Sequence, residues 1–103
     1  RDRSVSRGLG DVYKRQVHAK KEDLEKSLNA YLNDGWLFER MDGTLQALLL
    51  CAIYEITNTL DVDVKVLIQE YVDLAYAFFV KNEPKMVNAL LDQIAKETRS
   101  MGN

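Results

Sequence analysis

The sequence contains few of the residues on which disulfide-linked, membrane-spanning or catalytic proteins depend. Its 103 residues include one cysteine, one histidine and one proline. A single cysteine excludes an intrachain disulfide, so a reducing, cytoplasmic setting is the natural expectation. The longest run without a charged residue extends from Gly43 to Tyr54. Because a helix needs about 20 apolar residues to cross a bilayer, the sequence predicts no membrane span and no membrane partner.

Candidate catalytic residues are equally sparse. Cys51 lies in an apolar run, which favours an inert core thiol over a reactive one. His18 has no partner in the pattern that would orient it for catalysis. Glu70 and Asp73 lie one helical turn apart, a spacing that suits a metal or acid–base pair, but without His or Cys nearby a solvated helix face is favoured. We therefore expect no enzyme, no catalytic residues, no cofactor and no metal site.

The first 16 residues stand apart from the rest of the chain. They contain five basic and two acidic residues and almost no apolar periodicity. Ser6 to Gln16 reads SRGLGDVYKRQ, and each of these residues matches the translation of a transposase-type sequencing adapter. We therefore interpret residues 1–16 as a non-native, adapter-derived segment that replaced a natural N-terminal portion, and residues 17–103 as the C-terminal helical part of a domain. Leu9 and Val12 are expected to make few buried contacts.

Setting residues 1–16 aside changes the charge balance. Residues 17–103 carry nine Lys plus Arg and fourteen Asp plus Glu, a net charge of −5. A nucleic-acid-binding domain usually shows a basic patch, which this balance does not by itself indicate. Lys81 and Lys85 bracket the loop before the last predicted helix, where free helix amides also suit phosphate, but two lysines are a weak signal.

Residues 17–103 predict four helices in series and hence an all-α helical bundle. The first helix carries an apolar stripe at helical spacing, formed by Leu24, Leu28, Tyr31 and Leu32. Gly35 is predicted to supply its left-handed C-cap. Asp42 is predicted to cap a second helix, from about Gly43 to Thr57. Because this second helix is apolar nearly all round, we expect it at the centre of the bundle.

The third and fourth helices follow a polar turn. Apolar residues of the third helix are predicted to share one broad side: Val66, Leu67, Val72, Leu74, Ala75, Phe78 and Phe79. The fourth helix begins near Pro84, whose fixed backbone angle suits the first helical position. Its predicted buried stripe comprises Met86, Val87, Leu90, Leu91 and Ile94. The charged tail from Ala95 onward is expected to fray into solvent.

The aromatic residues near the end of the third helix allow two interpretations. Tyr71, Tyr76, Phe78 and Phe79 carry rings of the kind that stack on nucleobases. Core packing is favoured, because Phe78 and Phe79 follow the apolar side of that helix.

Three stretches of the sequence contain motifs that can be compared with those of known families. They lie at residues 48–56, 61–79 and 83–99. Their motif residues are Tyr54 and Glu55 in the first, Asp61, Val62, Lys65, Val66, Ile68 and Glu70 in the second, and Val87, Asn88, Leu90 and Asp92 in the third. In this order the stretches resemble the C-terminal half of the NusB family of bacterial transcription antitermination factors. The resemblance covers about residues 24–99 and is strongest from Leu45 onward. Leu50, Asp63 and Met86 depart from the family's usual Arg, Pro and Phe.

The resemblance implies a two-lobed helical fold, truncated here at its N-terminal end. It implies a factor that binds boxA-type RNA together with ribosomal protein NusE, within the RNA polymerase antitermination complex, and supports rRNA transcription. Much of the family's RNA contact comes from an arginine-rich first helix that would fall within residues 1–16. RNA binding by this chain alone is therefore expected to be weak.

Individual positions carry further implications of the resemblance. Asn82, Lys85 and Met86 map to the family's second RNA-contacting region, the loop and first turn before the Val-Asn motif. Asn88 and Glu70 are interpreted as internal hydrogen-bonding positions rather than ligand contacts. The acidic remainder of the chain suits a basic ribosomal protein.

Two alternatives remain open at this point. The same helical module fronts certain rRNA cytosine methyltransferases, where it is an RNA-binding accessory domain. The polar tail that closes the sequence favours the antitermination interpretation. A generic helical interaction domain without an RNA role is the third possibility.

Overall fold

The chain folds into four helices, as its periodicity predicts. The computed structural model describes residues 20–32 and 35–99, so the predicted adapter segment, with Leu9 and Val12, and His18 lie outside the described residues. The elements are α1 Lys21–Tyr31, a short 3-10 turn Phe38–Arg40, α2 Gly43–Asn58, α3 Val64–Phe78 and α4 Glu83–Thr98. The described ranges contain no strand, which confirms the all-α fold class.

Helix α2 forms the centre of the bundle. The Asp42 carboxylate accepts a hydrogen bond from the backbone N–H of Thr44 at 3.1 Å, which satisfies one first-turn amide. Eight α2 residues are buried: Leu45, Leu48, Leu49, Leu50, Cys51, Ala52, Ile53 and Ile56. The helix packs against α1, α3 and α4, because it is apolar on every side. The predicted cap and the predicted central position are both confirmed.

Helix α1 ends before the glycine that was predicted to cap it. Leu24 and Leu28 are buried, and Tyr31 and Leu32 pack half-buried against the core, which confirms the apolar stripe. The C-cap is Leu32, in an extended conformation, and its N–H donates to the carbonyl of Leu28 at 3.0 Å. Gly35 has φ +84°, a conformation that glycine adopts without steric cost, but it lies three residues beyond the cap. The prediction of a glycine C-cap was wrong, and Gly35 instead turns the loop that leads to the 3-10 turn.

Helix α3 buries four of the seven residues predicted to share its apolar side, and also buries Ile68 and Tyr71. The Asp63 carboxylate caps it by accepting from Lys65 N–H at 2.9 Å, so Asp serves as a helix start where the family usually has Pro. The buried residues are Leu67, Ile68, Tyr71, Val72, Leu74 and Ala75. Val66 and Phe78 are 50% and 54% exposed, against prediction. Val66 lies on the side of the helix away from the buried residues, and Phe78 is the last residue of the helix, where fewer neighbours cover it.

Helix α4 begins as predicted but continues further than predicted. Pro84 is buried in its first turn, and its core stripe is Val87, Leu90, Leu91 and Ile94, with Met86 half-buried beside it. Ala95 is also buried, and the helix extends to Thr98. The expectation that the tail frays from Ala95 onward was therefore wrong for the described residues.

Arg99 explains why the end of α4 is held in place. Its Nε donates to the carbonyl of Ile56 at 3.0 Å. Its Nη1 donates to the carbonyl of Val62, and its Nη2 to the carbonyl of Thr59. One planar guanidinium thus satisfies three carbonyls at the end of α2 and in the connection to α3. Arg99 ties the C-terminal end of α4 to this connection.

Candidate functional site

The turn between α3 and α4 contains the residues that the sequence predicts as a binding site. Helix α3 ends at Phe78. The next residue, Phe79, is its C-cap; it is extended, and its N–H donates to the carbonyl of Ala75 at 2.8 Å. Val80, Lys81 and Asn82 follow, and all three are exposed. Residues 79–86 are named the cationic turn below. They form a short projecting connection followed by the first turn of a well-packed helix.

The three predicted RNA contacts lie within this segment. Asn82 is the N-cap residue of α4, and its carbonyl accepts from the N–H of Met86 at 3.0 Å. The Asn82 side chain makes no capping hydrogen bond, which leaves its amide available for an external partner. Lys85 is exposed, whereas Met86 is half-buried against the core. Positions three and four apart on a helix are neighbours, so the structure brings the three residues together on one turn.

The cationic turn has the opposite charge to the chain around it. The described residues carry nine Lys plus Arg and thirteen Asp plus Glu, a net charge of −4. Residues 79–86 contain Lys81 and Lys85 against one acidic residue, Glu83. The Oε1 atom of Glu83 is buried and accepts no hydrogen bond from the described residues. The α4 N-terminus adds a positive end of the helix dipole to the two ammonium groups.

Exposed side chains, two of them aromatic, occur at the end of α3 and at the start of the cationic turn. Tyr76 and Phe78 are 61% and 54% exposed, Val80 is 91% exposed, and the rings of Phe78 and Phe79 are tilted with centroids 6.2 Å apart. Of the four aromatics assigned to the core from the sequence, Tyr71 is buried and Phe79 is half-buried. The core assignment was therefore wrong for Tyr76 and Phe78. Tyr76 is exposed although it lies four residues after the buried Val72, a spacing that places both residues on the same side of the helix.

A small groove opens on the other side of Met86. One wall is formed by Tyr31, Leu32 and Trp36, and the other by Met86, Ala89, Leu90 and Gln93, around a space of about 150 Å³. The Tyr31 hydroxyl donates to Glu97 Oε1 at 3.4 Å, at the long end of the hydrogen-bond range. Burial, and secondarily the Glu97 carboxylate, raise the pKa of Tyr31. Sequence reasoning missed this groove, because it joins a loop near residue 36 to a helix face some 50 residues later.

Groups that would serve catalysis are not assembled in the described part of the chain. Cys51 is fully buried, and burial, with a smaller contribution from Glu55, raises the pKa of its thiol to about 12. The protonated thiol is unreactive at neutral pH, which supports its interpretation as a core residue. Asp73 is exposed and accepts from Gln69 Nε2 at 2.9 Å. Among residues 20–32 and 35–99, no three His, Cys, Asp or Glu side chains are grouped to hold a metal.

A hydrogen bond between buried Tyr71 and half-buried Glu55 joins α3 to α2. The Tyr71 hydroxyl donates to Glu55 Oε1 at 2.9 Å. Burial raises the pKa of Tyr71 far above its ordinary value, and the Glu55 carboxylate adds to the effect. The raised pKa keeps the hydroxyl protonated, so this pair stabilises the fold at neutral pH and loses its contribution only in strong alkali. The half-buried Glu55 carboxylate is thus engaged by Tyr71.

Comparison with known proteins decides the family. The family-level comparison matches residues 7–96 to the NusB family. The chain belongs to the NusB family. It is 47% identical over 76 residues to a transcription antitermination protein NusB of Rhizobium leguminosarum, covering 74% of this chain and 48% of the relative. The NusB proteins of Rhizobium etli and Mesorhizobium japonicum are 46% and 45% identical, over 75% and 69% of this chain and 48% and 46% of theirs.

The chain spans about half the length of the curated NusB relatives that it matches. The family resemblance inferred from residues 48–99 is confirmed. The family match begins at residue 7, inside the segment interpreted as adapter-derived. The origin of residues 1–16 and the boundary at residue 17 stay predictions.

Departures from the usual NusB pattern have structural consequences in this chain. Leu50, which replaces the family's usual Arg, is 1% exposed in the centre of α2, where a charge without a partner would be costly. Asn88 is exposed, so its assignment as an internal hydrogen-bonding position was wrong. Glu70 is half-buried, and its charge contributes to the raised pKa of Tyr71.

No helix in the described ranges is long and apolar enough to span a membrane.

Proposed function

We propose that this chain is the C-terminal part of a transcription antitermination factor that binds boxA-type RNA together with ribosomal protein NusE. In this proposal it is a non-enzymatic, cytoplasmic component of the RNA polymerase antitermination complex and requires no cofactor. The observation that carries the proposal is membership of the NusB family, together with a cationic turn at the position where the family contacts RNA.

The chemistry of the cationic turn suits a single-stranded RNA. Lys81 and Lys85 supply positive charge for phosphates, which position a strand without reading its sequence. The Asn82 amide both donates and accepts, as base edges require. Tyr76 and Phe78 present exposed rings beside these groups, and base–aromatic stacking contributes substantially to single-strand binding. The proposed RNA contacts are therefore Asn82, Lys85 and Met86, with the neighbouring aromatics as support.

The charge of the remaining surface suits a basic protein partner. The described residues have a net charge of −4, although the cationic turn is positive. An acidic surface attracts a basic partner over distance and speeds their association. RNA bound at the cationic turn and NusE bound at the acidic remainder would allow one acidic chain to bind both partners.

The RNA contact is tested by removing one charge. Lys85→Gln is expected to weaken binding of a boxA-type RNA, in the presence of NusE, about tenfold at 0.1 M salt and to lower the salt slope by about one, because one phosphate contact is lost. Fluorescence anisotropy of labelled RNA, measured between 0.05 and 0.3 M salt, gives both quantities.

The matched control is Lys65→Gln. Lys65 is also exposed, but it lies in the first turn of α3, about 20 Å along that helix from the cationic turn. Its substitution should leave affinity and salt slope unchanged. Equal losses for the two variants would indicate a diffuse charge effect and would contradict an RNA contact at Lys85.

A further inference from the structure

The groove beside Met86 has features of a binding site that phosphate contacts do not use. Its walls combine two amphipathic aromatic rings, Tyr31 and Trp36, with the apolar side chain of Leu90 and the exposed amide of Gln93. Trp36 is half-buried and packs against the core, so its ring is held in place before any ligand arrives. The space of about 150 Å³ suits a single flat group rather than a helix or an extended peptide.

Met86 connects this groove to the cationic turn. It follows Lys85 directly and forms part of the groove wall. Met86, Leu90 and Gln93 recur four and three apart, so they line one face of α4 that starts at the cationic turn. The groove and the cationic turn are therefore adjacent along α4.

We propose that the groove holds one unstacked base of the bound RNA, with its face against Trp36 and its edge toward Gln93. The proposal rests on the proposed function and deepens it. Sequence-specific recognition of RNA mainly uses single-stranded bases that stack on aromatic rings and pair their edges with polar side chains. The Gln93 amide offers one acceptor and two donors for such an edge. The phosphate contacts at the cationic turn position the RNA, and the groove supplies base selectivity.

Trp36 makes the proposal directly testable, since it is the only tryptophan in the chain. The full chain is labelled with 5-fluorotryptophan, which gives one ¹⁹F resonance, and is titrated with unlabelled NusE, then with a boxA-type RNA. RNA is expected to shift the Trp36 resonance, because a stacked base changes the ring's surroundings. A series of RNAs, each with one abasic position, should contain one member that still binds by anisotropy but leaves the resonance unshifted.

Variants separate the groove from the neighbouring turn. Gln93→Ala, at an exposed position that is safe for folding, should reduce the preference for the native base at that one RNA position. Trp36→Ala should lower RNA affinity about tenfold, as loss of one base stack does, and Trp36→Phe should restore most of it. Leu37→Ala is the matched control, because Leu37 is exposed, follows Trp36 directly in the chain and is not part of the groove wall. It should leave the abasic pattern unchanged.

Each outcome decides the proposal. RNA binding without a Trp36 shift, or a shift that every abasic RNA reproduces, would overturn the groove as a base site and leave the proposed function standing. A shift caused by NusE alone and unchanged by RNA would assign the groove to the protein partner instead. Absence of RNA binding, even with NusE present, would overturn the proposed function and this inference together.

Discussion

Replacing Arg99 with methionine should lower the free energy of unfolding by about 2–3 kcal/mol. Three hydrogen bonds are lost, and each contributes about 1 kcal/mol net, because water can replace the guanidinium at these half-buried groups. The guanidinium of Arg99 donates to the carbonyls of Ile56, Thr59 and Val62. The change is measured by urea denaturation followed by circular dichroism at 222 nm, as a shift in the midpoint at constant m-value.

Two controls distinguish hydrogen bonding from charge. Arg99→Lys keeps the charge but replaces the planar fork with a single ammonium, so it should recover less than half of the lost stability. Arg40→Met makes the same substitution at an exposed position in the 3-10 turn and should cost less than about 0.5 kcal/mol. If Arg99→Met were as mild as Arg40→Met, Arg99 would not be holding the α2–α3 connection.

Leu49→Ala should lower the free energy of unfolding by about 3–4 kcal/mol. Leu49 is fully buried in α2, and truncation of such a side chain removes apolar burial and leaves a cavity. Native domains are stable by only about 5–15 kcal/mol, so this variant should be close to unfolding at 25 °C. Urea denaturation gives the value where a folded baseline exists, and loss of cooperative unfolding marks its absence.

The matched variants for Leu49 test whether burial is the cause. Leu49→Met nearly conserves volume and should cost less than about 1.5 kcal/mol. Leu60→Ala makes the same truncation at an exposed position. Leu60 is 67% exposed in the α2–α3 connection, and its truncation should change stability by less than about 0.5 kcal/mol. Equal losses at Leu49 and Leu60 would contradict a central position for α2.

Features that depend on neighbouring residues along the chain were predicted well from the sequence. Asp42 is a helix cap because its carboxylate meets an amide two residues away, and this contact needs no tertiary structure. The burial of α2 was predictable because it is apolar on every side, which excludes a surface position. The family was also recognisable, because its motif residues occur in order along α2, α3 and α4.

Features that depend on the ends of helices and on distant contacts were not predictable. Phe78 belongs to the apolar sequence pattern of α3, but it is the last residue of the helix and is half exposed. Arg99 was predicted to lie in a charged tail that frays into solvent. The sequence around it does not indicate that its guanidinium donates to the carbonyls of Thr59 and Val62, some 40 residues earlier. The fraying prediction failed for this reason.

The candidate site also has one part that was predictable from the sequence and one part that was not. Asn82 and Lys85 were nominated from their positions in a family motif, and the structure brings them together because they are neighbours in the first turn of α4. The groove beside Met86 was missed, because Tyr31, Leu32 and Trp36 form one wall and α4 forms the other, and only the packing of α1 against α4 brings them together. One sequence feature could have pointed to the groove: Trp36 is the only tryptophan in the sequence, and it lies in the short connector after the first predicted helix.

The central claim is that RNA meets this chain at the cationic turn. The most direct test is a ¹⁵N–¹H correlation spectrum of the labelled full chain with unlabelled NusE, recorded before and after addition of a boxA-type RNA. The largest RNA-induced shifts are expected at the backbone amides of Lys81, Asn82, Glu83, Lys85 and Met86, since Pro84 has no N–H. Largest shifts at the α2–α3 connection near Leu60, with residues 81–86 unchanged, would contradict the central claim.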